Sequence, residues 1–587
     1  MFLALGALGL WACDDGEPPA GDPTPVDGAA ADQAVDGGAA DEGVAPVDAA
    51  FIIDAQVELG EPEPLPAPPV ATAVQEGRFA TSLVCALCHS NTAAASAMRD
   101  AQDRAIGPFN IWQGSMMANA ARDPLWRATM SAETATTPLA KEFIESKCLS
   151  CHSPAGWREA EQKDASMLLA ANKVGMLARD GANCTTCHQI RPDNLGTEES
   201  FDGGWEIHEE RRIFGPHRDP ATGPMINHTG YTPTLGNHVL DSALCGTCHV
   251  LQTPTMTAEA RPTGHTLVEQ ATYLEWRNSS YPDDETTCQA CHMPQFDEDG
   301  VPTRTYIARS PPGGDFIGLD RREPFGRHLL VGGNTLMPQV LRDFREQLSS
   351  MATAEAFNAN IEAARQMLTT GADVQIGEPV VEGDKIRVPV TLINQVGHKL
   401  PTGFPSRRVW LRVTALDAAG AVLFDSGGFN DQGRILAEGR VLPIERHSGP
   451  TMPHRQVISR PDQVQIYSSI MCDPDGKPTW RLLRGASYCK DNRILPLGWT
   501  NAHRDAERTL PMGVEGDPDF MAGSDTTEYL LPAGTAKVVA VVLHQVLDPR
   551  FAEELFIVDT PEIRALRYYL DRVDQRPETM ARASRDL

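Results

Sequence analysis

The sequence predicts an α+β, multidomain chain: a helical and irregular domain, then an antiparallel β-sandwich, with a disordered acidic tether in front. Three observations predict it. Ten of the 13 cysteines fall into five Cys-x-x-Cys-His strings between Cys85 and His292. Beyond residue 372 short runs alternate apolar and polar residues between glycine-rich turns, as sandwich strands do. Residues 14–80 hold 15 Asp or Glu, ten prolines and a single basic residue, Arg78. Boundaries are expected at 1–12 (signal peptide), 13–80 (tether), 81–371 (string-bearing domain), 372–548 (sandwich) and 549–587 (helix and tail).

Composition narrows the class. With 587 residues, 41% of them apolar, there is material for two or three domains and no case for a wholly disordered chain. A formal charge of −28, from 51 basic against 79 acidic side chains, argues against nucleic-acid binding, which needs clustered Lys and Arg.

Taking the elements in order, Met1 to Ala12 is apolar and uncharged, and Leu10-Trp11-Ala12 before Cys13 looks like a bacterial lipoprotein cleavage box. No Lys or Arg precedes the run, so the usual positive n-region is missing. Twelve residues are too few to span a bilayer. The expectation is a lipid on Cys13 that anchors an exported protein in the periplasm or on the outer membrane or cell surface. The tether behind it has too little apolar surface to offset its ordering entropy.

The strings are Cys85-x-x-Cys88-His89, Cys148-x-x-Cys151-His152, Cys184-x-x-Cys187-His188, Cys245-x-x-Cys248-His249 and Cys288-x-x-Cys291-His292. Each has the form of a c-type haem attachment site: two thiols add to the two vinyl groups of one porphyrin, and the next residue brings an imidazole to the iron. Zinc is a poor rival, since four-sulfur sites pair their doublets, five is odd, and they do not need the repeated His. Disulfides inside the strings would leave the five histidines without a purpose. Five covalent haems c are therefore expected, and with so little chain between them the porphyrins become the core, wrapped by short helices and loops.

A haem with its sixth position closed carries electrons, and one left open binds substrate. Eleven further histidines can close it. His228 and His238 lie in a Gly-, Pro- and Asn-rich stretch before Cys245, and His328 precedes a Gly-Gly pair that permits close approach to a flat ligand. His208 and His217 are weaker candidates, and the rest, above all His447, His454 and His503, read as surface or propionate-binding groups. Met116 and Met117 are thioether candidates on what reads as a helix start, with core filling as the alternative. His398 lies in the turn-rich loop 394–405, where ligation and a hydrogen-bonded turn histidine are equally open readings.

Beyond the strings, Phe357, Ile361, Ala364 and Leu368 have helical spacing, whereas Ile386, Val388, Val390 and Leu392, and then Val409, Leu411, Val413 and Ala415, alternate as strands. Val538 to Leu543 reads as a buried strand, and Pro389 suggests an edge strand. Asp559-Thr560-Pro561 caps a last helix. Cys472 and Cys489 are expected to form a disulfide in an oxidising compartment.

Together with the strings, Trp112 to Pro124 (Trp-x-x-Ser-Met-Met-Ala-Asn-Ala-Ala-Arg-Asp-Pro), Cys288-Gln-Ala-Cys-His-Met-Pro294 and Gly397-His-Lys-Leu-Pro-Thr-Gly403 make the chain resemble multihaem cytochromes c of the cytochrome c-554-like class, over roughly 82–545. These are relatives of hydroxylamine oxidoreductase and pentahaem nitrite reductase. The resemblance implies that the loop histidines His328 and His398 serve as distal ligands. It also marks departures: no string ends in the Lys of the nitrite reductases, and the haem number and cross-linking Tyr of hydroxylamine oxidation cannot be placed. The expected function is therefore single-electron transfer between periplasmic or cell-surface partners, other redox proteins or extracellular acceptors, with the membrane touched only through the lipid. The alternatives are an oxidoreductase acting on a small nitrogen or sulfur compound at one five-coordinate haem, and a docking module in which the haems are structural.

Overall fold

The computed structural model describes residues 59–160, 163–297 and 300–587. The signal peptide, Cys13 and most of the tether lie outside the described residues. The tether is nevertheless too long as read. Phe79 and Ala80 are fully buried, Gln75–Glu76 pairs with Phe79–Ala80, and the Phe79 ring meets Trp205 edge-on at 6.2 Å. A single aromatic at the end of an acidic run was enough to tie that segment to the interior.

All five strings sit on short helices: Ser82–His89, Lys141–His152, Cys184–Cys187, Ser242–His249 and Cys288–His292. On a helix, residues three and four apart share a face, so both thiols and the imidazole of each string point the same way. Local caps start two of these turns where they are needed: Asn183 accepts from the Thr186 amide and Asp241 from that of Ala243. Between them the string-bearing region holds strand pairs that the sequence reading did not contain, Leu251–Met256 with Pro262–Gln270 and, in parallel, Arg212–Gly215 with Thr232–Leu235. Prolines 233, 254 and 262 interrupt their alternation and hid them.

The helix Ala354–Thr370 is capped by Thr353 and buries Phe357, Ile361, Ala364 and Leu368. Two sheets follow, making the chain a mixture of helix and sheet. The first runs Val457–Ile458, Ser524–Pro532, Lys385–Asn394, Ala372–Ile376, with Val380–Glu382 also on Lys385–Asn394. The second runs Pro478–Thr479, Ile466–Cys472, Arg408–Leu416, Lys537–Gln545, Glu578–Asp586, with Val422–Ser426 and Ser487–Asp491 paired off that path. Val388, Val390 and Leu392 of the first share one core with Val409, Leu411, Val413, Val538, Ala540 and Val542 of the second.

Two expectations are corrected here. Pro389 is not on an edge: Lys385–Asn394 is flanked on both sides. Its missing N–H falls in the gap between the partners Ile376 and Val380, where its carbonyl accepts from the Gly377 amide at 2.9 Å, so no ladder bond is lost. Residues 549–587 are not only helix and tail. Helices Pro549–Phe556 and Pro561–Leu570, the latter capped by Thr560, are followed by the strand Glu578–Asp586, which pairs with Lys537–Gln545. An outer strand with Met580 as its single buried apolar residue leaves almost no periodic signal.

The two helices pack against Pro124–Thr136 and Leu336–Asp343 of the string-bearing region in a second core around Leu341, Phe344, Leu566 and Tyr569, and the hydroxyls of Ser131 and Thr560 meet at 2.7 Å. The described residues thus form one compact unit. Cys472 and Cys489 are bonded across a separation of 17 residues. Closing a loop of that length is worth about 3 kcal/mol in the chain-entropy account. Replacing both by Ala is expected to lower unfolding stability by about 2–5 kcal/mol with haem content unchanged, as read by denaturant titration and haem absorbance.

Candidate haem cavity

The five helices surround one continuous cavity of about 1250 Å³, and every cysteine and histidine of the five strings lines it. Adjacent strings meet through their thiols. Cys85 stands beside Cys184, Cys151 beside Cys248, and Cys245 beside Cys288, each pair within electrostatic reach. First and third strings are therefore neighbours, and the fourth touches both the second and the fifth.

The imidazoles are set for metal binding by their outer nitrogens. Nδ1 of His89, His152, His188 and His292 lies 2.9, 3.3, 2.7 and 2.6 Å from the carbonyls of Ile307, Ala120, Phe214 and Val331. A carbonyl only accepts, so Nδ1 carries the proton and the Nε2 lone pair is left free. Burial holds these rings neutral, pushing His152 and His249 down to about 4 and lowering His89, His188 and His292.

Of the expected distal ligands, His328 and His398 line the cavity with the same arrangement: Nδ1 is 3.0 Å from the Gly326 carbonyl and 2.9 Å from that of Lys399, and burial pushes both down to about 4. The His328 and His188 rings are 6.2 Å apart between centroids and 28° from parallel. His228 lines the cavity from the exposed helix Thr222–Thr229, as does His217 from the preceding loop. His238 is not among the lining residues; its Nε2 is 2.8 Å from the Ile190 carbonyl and its ring abuts Phe214. Met116 and Met117 line the cavity from a turn after Pro108–Trp112, not from a helix. The Met117 carbonyl accepts from the Ala182 amide at 2.9 Å, which sets that turn beside the third string.

His454 is neither at the surface nor in the cavity. It is buried in the sheet region with Asp517 and Asp525, the three offering ligand atoms within 4.8 Å of one another. The amides of Gln465 and Asn492 both donate to its Nδ1, so the proton is on Nε2 and goes to Asp517 at 2.8 Å. That ring is already saturated by protein. Sequence reasoning did not single out two further groups on the cavity wall, Arg407 and His544. Neither sits in a motif: His544 lies on the strand Lys537–Gln545, and Arg407 immediately precedes the strand Arg408–Leu416 that pairs with it.

A loop on the cavity wall is held by buried charge. Asp491 binds Lys399 Nζ at 2.7 Å and Arg493 through two bonds of 2.7 Å, and Arg493 also reaches Glu275 at 3.0 Å. Glu275, from helix Thr272–Arg277, accepts from the Lys399 amide and the Thr402 hydroxyl. The loop that carries His398 is thus clamped between the string-bearing region and the second sheet.

Residues 84–189, which contain the first three strings, match the family described as cytochrome c554 and c-prime. No curated protein matches the chain. Among solved structures, a penta-haem cytochrome c552 from Thermochromatium tepidum is similar at 17% identity and a TM-score of 0.46, over 87% of this chain and 100% of that one. Haem c is the cofactor that ten paired thiols and five string imidazoles on one cavity wall fit. The family match over the first three strings, with two more of the same form lining the same cavity, supports a multihaem cytochrome c class for this chain.

Proposed function

We propose that the chain holds five haems c and relays single electrons between redox partners in the periplasm or at the cell surface, anchored by a lipid on Cys13. The observation that carries this reading is the single cavity lined by all five strings, with cysteines of neighbouring strings side by side. Bound haem supplies one-electron iron chemistry; the chain sets ligation, spacing and solvent access. By the placement of their cysteines, string one stands beside string three, and the fourth stands beside the second and the fifth, with Cys187 of the third also within electrostatic reach of it. We read the two sheets as a sandwich that walls the cavity, 81–371 as the haem-binding domain and 13–80 as its tether up to the segment around Phe79.

His328 and His188 are the two imidazoles that would hold the iron of a haem on the third string. At 6.2 Å the rings are too far apart to touch and close enough for both to reach one metal atom, and each has its Nδ1 tied to a carbonyl. His398 is the distal ligand of a haem on the fourth or fifth string, since its ring lies within electrostatic reach of both His249 and His292. His228, His238, Met116 and Met117 remain as candidates for the others.

Two measurements test the reading. The exported holoprotein is expected to carry the mass of five haems and to show reversible one-electron waves, whereas a chain without tetrapyrrole would end it. His328→Met is expected to raise the potential of one haem and to convert one bis-imidazole signal in electron paramagnetic resonance to His/Met ligation. An unchanged spectrum would remove His328 from the ligand set. Strong carbon monoxide binding by the unmodified protein would instead favour an oxidoreductase with an open haem.

A further inference from the structure

We propose that Arg407 and His544 form a carboxylate-binding subsite for a propionate side chain of the haem on the fourth string; this rests on the haem reading above. Each residue is anomalous where it stands. On the strand Lys537–Gln545, Val538, Ala540 and Val542 are fully buried in the core between the sheets. His544 is the next residue on that face, opposite Val409, and is 5% exposed. An imidazole thus ends an aliphatic row where the core meets the cavity. Its Nδ1 is buried without a hydrogen-bond partner among the described residues. A buried ring nitrogen left unmet is a free-energy cost that a native site ordinarily removes, and with Nδ1 protonated the ring offers a donor there.

Arg407 lines the same cavity. Its guanidinium donates to the Thr402 carbonyl at 2.7 Å and has no ion pair among the described residues. Compare the other arginines of the loop and sheet: Arg408 is paired to Glu445, and Arg493 to Asp491 and Glu275. Asp123 is the carboxylate that Arg407 feels, and it is not within bonding distance. The charge of Arg407 reaches His249, His398 and His544 alike, so the guanidinium stands among the fourth string's imidazole, a candidate distal ligand and the orphaned ring.

Two glycines leave space for these two side chains. A Cβ on Gly333 would lie 2.8 Å from Cε1 and 3.1 Å from Nε2 of His544; a Cβ on Gly403 would lie 2.6 Å from Nη1 of Arg407. Gly403 also has φ of +82°, which favours glycine on its own account. A guanidinium without an ion pair among the described residues and an imidazole nitrogen without a partner there, both on the wall of this cavity, suit an anion. Each haem brings two carboxylates there, and an Arg fork suits a carboxylate.

The test reads potentials on purified holoprotein whose haem mass is measured first. Arg407→Gln removes the cation that offsets a propionate charge, so the oxidised form of one haem gains. Its reduction equilibrium is expected to fall at least tenfold, about 59 mV for one electron. His544→Gln is expected to move the same haem in the same direction by less, and Arg407→Lys to leave it near wild type. Arg460→Gln, an exposed charge in the sheet region, serves as the control. Potentials unmoved in both Arg407→Gln and His544→Gln, with haem content intact, would overturn the subsite, as would an Arg407→Lys shift equal to that of Arg407→Gln. Absence of haem from the unmodified chain would instead strike the underlying reading.

Discussion

Replacing Cys245 and Cys248 together by Ala is expected to remove one haem from the mass of the exported protein and to cut electron exchange between the second string and the fifth. The reason is positional. The fourth string is the one whose two cysteines stand beside two different neighbours, Cys248 beside Cys151 and Cys245 beside Cys288. The same double substitution in the fifth string, Cys288 and Cys291, removes an end of the arrangement. Both variants lose one cofactor, so the mass change is equal, while the kinetic consequence is not. Photoreduction followed by time-resolved absorbance distinguishes them: slow, multiphasic equilibration for the fourth-string variant, and near wild-type rates among the remaining haems for the fifth-string variant. Equal behaviour of the two would show that the thiol contacts do not report the route.

Asp491→Ala is expected to lower unfolding stability by about 3–5 kcal/mol, the range for breaking one side of a buried ion pair, because Lys399 and Arg493 are left charged in the interior. Lys399 is fully buried, so water cannot take over the role of the carboxylate. The effect has a pH signature. Burial opposes ionisation of Asp491, but Arg493 and Lys399 outweigh it and hold the carboxyl at about 2, below its ordinary 3.8. The folded form therefore binds its proton later than the unfolded form. The stabilisation is complete above about pH 4 and disappears as the pH falls from there through about 2. Denaturant titrations at pH 6 and pH 3 are expected to show a wide gap between wild type and Asp491→Ala at the first and a narrower one at the second. A gap that widens on acidification would refute the assigned pairing. Since the same network holds the His398 loop, the variant is also expected to perturb the spectrum of one haem at pH 6.

How much of this was legible beforehand follows from the range of each interaction. The strings were fully legible because their chemistry is local: two thiols and an imidazole must be neighbours in sequence to serve one porphyrin, and one helical turn gives them a common face. The helix Ala354–Thr370 and the strands around Val388, Val409 and Ala540 were legible through their periodicity. What failed was set by distant partners. Pro389 reads as an edge residue until Gly377 is seen to occupy the break beside it. Glu578–Asp586 has no apolar alternation, being held by the backbone of Lys537–Gln545. Met116 and Met117 look helical by composition, yet the chain turns there because the Met117 carbonyl is taken by Ala182. His544 looked like one histidine among eleven, and its isolation emerges only once it is set in the row after Val542.

The position of Met580 bears on biogenesis. It lines the cavity, and it lies on a strand that follows every attachment string by nearly half the chain. In a chain exported and loaded with haem as proposed above, the ten thiols emerge before that wall does, so attachment has a period in which every string is open. Sealing comes afterwards, when Glu578–Asp586 zips onto the strand of His544. On that reading a second sheet closed ahead of attachment would shut the cofactors out, so Glu578–Asp586 is expected to pair with Lys537–Gln545 last.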